Sequence, residues 1–387
     1  MIFFISISVS SSAQAAILFE DNFDGLADWR PHPANDDMSP AGSVAACDFA
    51  TQSCSWGLPG LWDYFRSTGW WWEPSYKDTL RIASQTSHGM GEADGAGKSF
   101  IVYNESNVGS SGDGWGADGI LAKALEQDEA ELYVRFWLKT QPAWRWMDGR
   151  IGVKLFRVMH FDRSGSVFQF YENGDSGPIY LYGLQNSTGY GVEQAHSFRC
   201  DPQESDYYCP NSPSAESDSA THFTIGGIVK GEPTMPTDPG MWADGVWHRH
   251  DFRLKMNTYA GNGNWNADGV LEFWYDGELQ KSRSDIKWIN SGTDSSIGWN
   301  TVAIGGNAYN LWAEEVAHGE QWYAVDDVVV STTALPADYV PGVSGQGYSL
   351  ADFWEIVVGW LKGGDFDHNS DGIVNTRDLG IVMSGWE

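Results

Sequence analysis

The fold is decided by two neighbouring stretches, VWHRHDFRLKMN at residues 246–257 and GVLEFWYDGEL at residues 269–279. In both stretches apolar and polar side chains alternate, which is the two-residue period of a half-buried β-strand. A short run rich in Gly, Asn and Asp separates them, so the pair predicts two adjacent antiparallel strands. The segment that begins at residue 17 has no sustained apolar pattern at helical spacing, so the large part of the chain is predicted to be all-β.

Further stretches repeat this alternation along the chain. They are ELYVRFWLKT (131–140), GVKLFRVMHFD (152–162), VFQFYEN (167–173), PIYLYGL (178–184), HFTIGGIV (222–229), TVAIGG (301–306) and QWYAVDDVVVST (321–332). So many strands with one apolar face predict two antiparallel sheets packed face to face, a β-jelly-roll sandwich over residues 16–335. We expect an outer, concave sheet face to form a groove.

Charge and the first residues restrict the class of protein. Acidic residues exceed basic ones by 52 to 23, a net charge of −29, so neither nucleic acid nor an anionic membrane is expected as a partner. Residues 1–15, MIFFISISVSSSAQA, form a short apolar run that ends in Ala13-Gln14-Ala15. This pattern predicts a signal peptide cleaved after Ala15 and a secreted, extracellular protein. We expect the protein to be a monomer.

The cysteines agree with an extracellular location. Cys47 lies close to Cys54 in the chain, and Cys200 lies close to Cys209, so we expect two disulfides that each staple one surface loop. No Cys-x-x-Cys motif of the zinc type occurs, and neither zinc nor a redox cofactor is expected.

The end of the chain carries the clearest chemistry. Residues 336–347 combine Pro, Gly and Ser as linkers do, and residues 348–387 read as helix, loop and helix. The loop has the spacing D-x-N-x-D-G-x-x-N-x-x-D, in which side-chain oxygens and one backbone carbonyl converge on calcium. The expected calcium ligands are Asp367, Asn369, Asp371, Ile373 through its carbonyl, Asn375 and Asp378.

This loop-helix unit resembles the dockerin modules of secreted polysaccharide-degrading enzymes, over about the last 40 residues. Such modules carry two repeats, and the resemblance implies a possible cohesin-like partner. The first repeat of this chain, GVSGQGYSLADF, departs from the pattern because it keeps only Asp352 of the acidic ligands.

The large domain has its own resemblance. The stretches DGVWHRHDFRLKMNT, DGVLEFWYDGEL and WYAVDDVVVST look like those of the concanavalin-like jelly-roll polysaccharide lyases and related glycanases, over residues 17–335. In such folds the first and last strands often share a structural calcium. The resemblance therefore implies oxygen ligands from Glu20 and Asp326, with Asp21, Asp24 and Asp327 beside them.

Alternation also predicts which polar side chains face the groove. Counting along each strand places Arg135, Trp137, Lys154, His160, Gln169, Tyr171, Tyr180 and Tyr182 opposite the apolar positions. β-Elimination beside a uronate needs a group that neutralises the carboxylate, a base and an acid. We expect His160 or Tyr171 as the base, Tyr180 as the acid, and Gln169 with Lys154 or Arg135 on the carboxylate.

Tryptophans offer a second kind of contact. The chain has 21 of them, and those in loops can stack on the apolar faces of sugar rings. The expected substrate-binding aromatics are Trp70, Trp71, Trp72, Trp144 and Trp146, with Trp137 and Tyr182 on strands.

These residues are compatible with three functions. The first is a secreted polysaccharide lyase that cleaves a uronate-containing glycan by β-elimination. The alternative is a glycoside hydrolase for a neutral β-glycan such as cellulose, which needs two carboxyl groups about 5 to 9 Å apart. Its candidates are Glu172, Asp175, Asp251 and Glu272, although the E-x-D-x-x-E and E-x-D-x-E signatures of jelly-roll glucanases do not occur. The third function is a non-catalytic carbohydrate-binding protein.

Overall fold

The computed structural model describes residues 17–29, 43–48, 53–54, 58–67, 80–84, 97–103, 117–141, 151–161, 177–187, 191–199, 244–309, 322–339 and 341. The predicted signal peptide, the predicted strands at 167–173 and 222–229, and the predicted module at 348–387 lie outside these residues. Within the described ranges there is no helix long and apolar enough to cross a membrane.

The regular elements of the described chain are all strands. Their bounds are β1 (Ile17–Asp21), β2 (Ser43–Asp48), β3 (Ser53–Cys54), β4 (Tyr64–Ser67), β5 (Leu80–Ser84), β6 (Lys98–Tyr103), β7 (Ala117–Glu129), β8 (Glu131–Thr140), β9 (Ile151–Met159), β10 (Ile179–Ser187), β11 (Gly191–Arg199), β12 (His248–Lys255), β13 (Tyr259–Gly261), β14 (Asn264–Trp265), β15 (Gly269–Tyr275), β16 (Glu278–Ile286), β17 (Trp299–Tyr309) and β18 (Trp322–Ser331).

These strands form two large sheets and a small hairpin. Sheet A has the order β16-β15-β12-β8-β18-β6-β5, with β1 also paired to β18. Sheet B has the order β11-β10-β9-β17-β7-β4-β2-β3, and β13 pairs with β14. The pairings are antiparallel; for example, β12 lies between β8 and β15, with Phe252 opposite Val134 and Phe273.

The core lies between the two sheets and is rich in aromatic rings. Phe252 of sheet A packs on Phe156 of sheet B with ring centroids 4.8 Å apart, and on Tyr182 with centroids 5.2 Å apart. Phe136 of sheet A also contacts Phe156, with centroids 5.2 Å apart. Side chains of this size contribute strongly to stability when they are fully buried. The prediction of an all-β fold with antiparallel sheets packed face to face is therefore confirmed.

Candidate functional site

Sheet B turns one face to the core and the other face away from it, which we call the outer face of sheet B. Members of the core alternate along its strands with the residues of this outer face, and cross-strand partners share a face. The outer-face residues are Ile179 and Leu181 of β10; Lys154, Arg157 and Met159 of β9; Thr301 and Ala303 of β17; Ile120 and Ala122 of β7; and Tyr64 of β4.

One row of this face crosses five strands. Arg157 is opposite Leu181 on one side and Ala303 on the other, and the row continues through Ala122 to Tyr64. The described neighbours of Arg157 in this row are apolar or aromatic, and Arg157 itself is only 9% exposed. A guanidinium at the centre of an apolar sheet face is partly desolvated, which strengthens its interaction with an anion.

Lys154 lies further along β9 on the same face, and a β-bulge separates it from Arg157. The register of β9 shifts against β10 between Tyr182 and Gly183, and against β17 between Ile304 and Ala308. Both Leu155 and Phe156 therefore face the core, although they are adjacent in sequence. As a result, Lys154 and Arg157 share a face although they are three positions apart.

Two glycines flank Lys154 on the neighbouring strands. A Cβ atom at Gly183 would lie 2.4 Å from the carbonyl oxygen of Val153, and one at Gly306 would lie 2.6 Å from the carbonyl oxygen of Lys154. No side chain fits at either position because the backbones approach so closely. No side chain therefore flanks Lys154 at these two positions.

His160 does not share this face, so its predicted place in the groove is wrong. The bulge changes the phase of β9, and Met159 rather than His160 continues the outer face. The His160 Nδ1 atom lies 3.1 Å from the Asp128 carboxylate and 3.0 Å from the Gly298 carbonyl oxygen. Asn300 completes this cluster by donating hydrogen bonds to Asp128 and to the carbonyl oxygen of Phe161.

The pKa of Asp128 indicates that Asp128 and His160 form a structural pair. Burial alone would raise the pKa of Asp128, but hydrogen bonds from His160 and Asn300 outweigh it and lower that pKa below its usual value. The cluster joins the ends of β7 and β9 to the start of β17. His160 thus holds a corner of the sandwich together.

Tyr180 and Tyr182 are also on the wrong face for the predicted roles of acid and sugar-binding residue. Both side chains are fully buried in the core. The bulkier tyrosine rings pack against Phe252, while the half-buried Ile179 and Leu181 take the outer face. Burial raises the pKa of Tyr180 well above its ordinary value, so its hydroxyl is a poor proton donor as well as an inaccessible one.

Arg135 and Trp137 belong to the other sheet. They project from β8 onto the outer face of sheet A, because Phe136 and Leu138 of the same strand face the core. Arg135 forms an ion pair with Asp251 and donates a hydrogen bond to the carbonyl oxygen of Pro336. Neither residue can share a groove with Lys154, since the core lies between the two outer faces.

Two of the carboxylates proposed for hydrolysis are held in ion pairs on sheet A. Asp251 binds Arg135 and also Arg249, whose Nε atom lies 2.8 Å from its carboxylate. Glu272 lies 2.9 Å from Arg253 Nη1. The other two candidates, Glu172 and Asp175, lie outside the described residues.

The residues implied as calcium ligands on the first and last strands make hydrogen bonds to other groups. Asp21 accepts hydrogen bonds from the backbone of Phe23 and the indole of Trp62, at 2.8 and 2.7 Å. Glu20 accepts one from the Tyr339 hydroxyl, and Asp326 accepts one from the backbone of Asp327. Among the residues described, no group of three or more His, Cys, Asp or Glu side chains is placed to hold a metal ion.

Several predicted site residues fall outside the part of the chain that the structure describes. They are Gln169, Tyr171, Trp70, Trp71, Trp72, Trp144, Trp146, Cys200, Cys209 and all ligands of the C-terminal calcium loop. Cys47 and Cys54 do face each other in the pairing of β2 with β3, and their disulfide remains a prediction.

Sequence reasoning missed Arg157 and Tyr64. Strict alternation from Lys154 assigns Arg157 to the apolar side of its strand, and only the bulge moves it to the outer face. The signal was present in the two adjacent apolar residues Leu155 and Phe156, which interrupt the alternation. Tyr64 lies on a strand of four residues, too short for a periodicity argument.

Comparison with known proteins gives structural similarity only. No protein-family model and no curated protein sequence match the chain. A glucuronan lyase from the fungus Trichoderma reesei superimposes with a TM-score of 0.43 at 11% identity, over 75% of this chain and 95% of that one.

Two further structures superimpose to a similar degree. An endo-1,3-β-glucanase from Streptomyces sioyaensis gives a TM-score of 0.43 at 12% identity, over 84% of this chain and 99% of that one. A marine alginate lyase from Aplysia kurodai gives 0.42 at 13% identity, over 65% and 87%. Similarity at this level establishes neither the reaction nor the substrate of this chain.

Proposed function

We propose that the protein is a secreted polysaccharide-degrading enzyme, a lyase that binds a uronate-containing glycan on the outer face of sheet B. The observation that carries this proposal is the position of Arg157, a largely buried cation in the middle of an apolar sheet face. An acidic sugar chain is complementary to such a face, because its carboxylates can pair with the cation and its apolar ring faces can pack on the apolar side chains.

The chemistry assigned to the cations follows from the reaction. In β-elimination a base removes the C5 proton, its electrons form the C4–C5 double bond, and the C4–O bond breaks as an acid protonates the leaving oxygen. Negative charge spreads onto the adjacent carboxylate as the proton leaves. Arg157 binds that carboxylate, since a guanidinium contacts both oxygens at once, and Lys154 adds a second positive charge nearby.

Tyr64 lies too far along the row to act with Arg157 on one sugar. It lies three strands away from Arg157 along the row, a separation of about 14 Å at the usual strand spacing. That is too far for both side chains to act on one carbon atom, because proton transfer needs contact within about 3 Å. Tyr64 is only 3% exposed and packs in a buried apolar cluster with Ala122 and Ala303, so Tyr171 with Gln169 stay the proposed groups closest to the reaction.

The centre of the outer face of sheet B carries small side chains. Between Arg157 and Tyr64 the row holds only Ala303 and Ala122, both of which are buried. On the outer face of sheet A, Arg253 is held between Glu131 and Glu272 at 2.6 and 2.9 Å. An anionic glycan would meet paired carboxylates there, so we place it on sheet B.

A panel of polysaccharides tests the function directly. The wild-type chain is incubated with alginate, glucuronan, pectate, a β-1,3-glucan and cellulose, and both ultraviolet absorbance and reducing ends are recorded. A lyase raises both signals on a uronate polymer, because the new double bond absorbs. New reducing ends without a rise in absorbance would show that the protein is a glycoside hydrolase and not a lyase. Binding without either signal would show that it is a non-catalytic carbohydrate-binding protein.

Secretion, the two disulfides and calcium in the C-terminal loop belong to the same proposal. They rest on the apolar leader, the paired cysteines and the alternating oxygen ligands of the sequence. A cohesin-like protein is the partner that the dockerin-like tail would engage.

A further inference from the structure

The residues that follow β18 are fastened to sheet A, although their composition is that of a linker. The Arg135 Nη1 atom donates a hydrogen bond of 2.6 Å to the carbonyl oxygen of Pro336. Arg249 Nη1 donates one of 2.8 Å to the carbonyl oxygen of Ala337. The Tyr339 hydroxyl donates to Glu20. We call residues 336–339 the strap.

The strap crosses several strands of the sheet. Arg249 belongs to β12, Arg135 to β8 and Glu20 to β1, which reaches the sheet through β18. Glu20 and Arg135 lie in one row, since each is opposite Val329. The attachment points are therefore spread across the outer face of sheet A.

Charge complementarity explains why this segment stays there. The two guanidinium groups of Arg135 and Arg249 share the single carboxylate of Asp251. Asp338 of the strap adds a second negative charge, which acts favourably on Arg135. The carbonyl oxygens of Pro336 and Ala337 accept hydrogen bonds from these two guanidinium groups. Hydrogen bonds from a charged donor are stronger than those from a neutral one. The strap therefore belongs to the sandwich domain, which the sequence analysis predicted to end at residue 335.

We infer that the strap sets where the C-terminal tail leaves the sandwich, on the outer face of sheet A and away from the outer face of sheet B. The last attachment point is Glu20 of β1, which pairs only with β18 among the described strands, so the chain leaves the outer face of sheet A beside β1.

Limited proteolysis of the full chain tests the strap without reference to activity. Chymotrypsin should cleave after Tyr339 at least about tenfold more slowly than in an unstructured peptide of the same sequence, because cleavage requires the strap to leave the sheet. The double variant Asp338→Asn with Tyr339→Phe keeps an aromatic cleavage site and should lose most of this protection. Cleavage of the wild-type strap at the rate of the unstructured peptide would overturn the inference.

Discussion

His250 carries an imidazole into the centre of the aromatic core. Its side chain is fully buried and stacks on Phe136 with ring centroids 5.2 Å apart, while Nδ1 lies 3.0 Å from the carbonyl oxygen of His248. Burial disfavours the charged form and lowers the pKa of His250 from 6.5 to about 3. The folded protein therefore holds this ring neutral at pH values where the unfolded chain protonates it.

This difference predicts a loss of stability in acid. A depressed pKa leaves stability intact above the unfolded value of 6.5, and stability then falls as the pH drops toward 3. His250→Phe removes this term, so between about pH 7 and pH 5.5 the wild type should lose about 1 kcal/mol more unfolding free energy than the variant. Urea titrations at each pH measure it, and parallel curves for the two proteins would refute the assignment.

The faces of single residues were only partly predictable from sequence. Alternation placed Arg135 and Trp137 correctly opposite Phe136 and Leu138, because β8 is regular. It failed for Tyr180 and Tyr182, where both candidate faces of β10 are apolar enough to be buried. Periodicity shows that a strand has two faces, but packing against Phe252 decides which one is inside.

At the scale of strands, β17 depends on a glycine at its irregular point. Gly305 has a φ of +81°, and a Cβ atom there would lie 2.0 Å from the carbonyl oxygen of Gly119 on β7. Both the backbone conformation and the close approach therefore exclude a side chain. The strand lies between β9 and β7, so a distortion here displaces the neighbours of Arg157.

Gly305→Ala should consequently destabilise the fold by about 2 kcal/mol or more. Gly25→Ala is the matched control, because a Cβ at Gly25 meets nothing within 4 Å. Denaturant unfolding followed by tryptophan fluorescence compares the two variants. Equal unfolding free energies would show that the backbone at Gly305 relaxes without cost.

The bulge in β9 limits what a strand pattern can reveal. The sequence predicted a strand at 152–162, and the structure has β9 at Ile151–Met159. The predicted set of groove residues nevertheless wrongly included His160 and omitted Arg157. One extra residue in the strand moves every later side chain to the opposite face of the sheet.

At the scale of the whole molecule, sheet membership could not be derived from the chain order. β8 and β9 are consecutive in sequence, yet β8 pairs with β12 and β18 in sheet A while β9 pairs with β10 and β17 in sheet B. Alternation grouped Arg135 and Lys154 as groove residues, but their strands belong to different sheets. Pairings such as β8 with β18 join residues far apart in sequence, and no local pattern encodes them.

The tail adds a prediction for the complete protein. Asp367→Ala combined with Asp371→Ala removes two carboxylates of the predicted calcium loop. Calorimetric titration of the full chain should then lose the calcium-binding signal, while the unfolding transition of the sandwich stays unchanged. Undiminished calcium binding by the variant would contradict the proposed loop.

The central claim is that the outer face of sheet B binds the glycan through Arg157, and one kinetic comparison tests it most directly. Arg157→Gln should lower kcat/KM on the preferred polysaccharide by at least about 100-fold, the scale of losing one group that stabilises developing charge. Arg283→Gln makes the same chemical change on β16, where Arg283 pairs with Asp285 at 2.8 Å, and should leave kcat/KM unchanged. Wild-type activity in a folded Arg157→Gln protein would contradict the account.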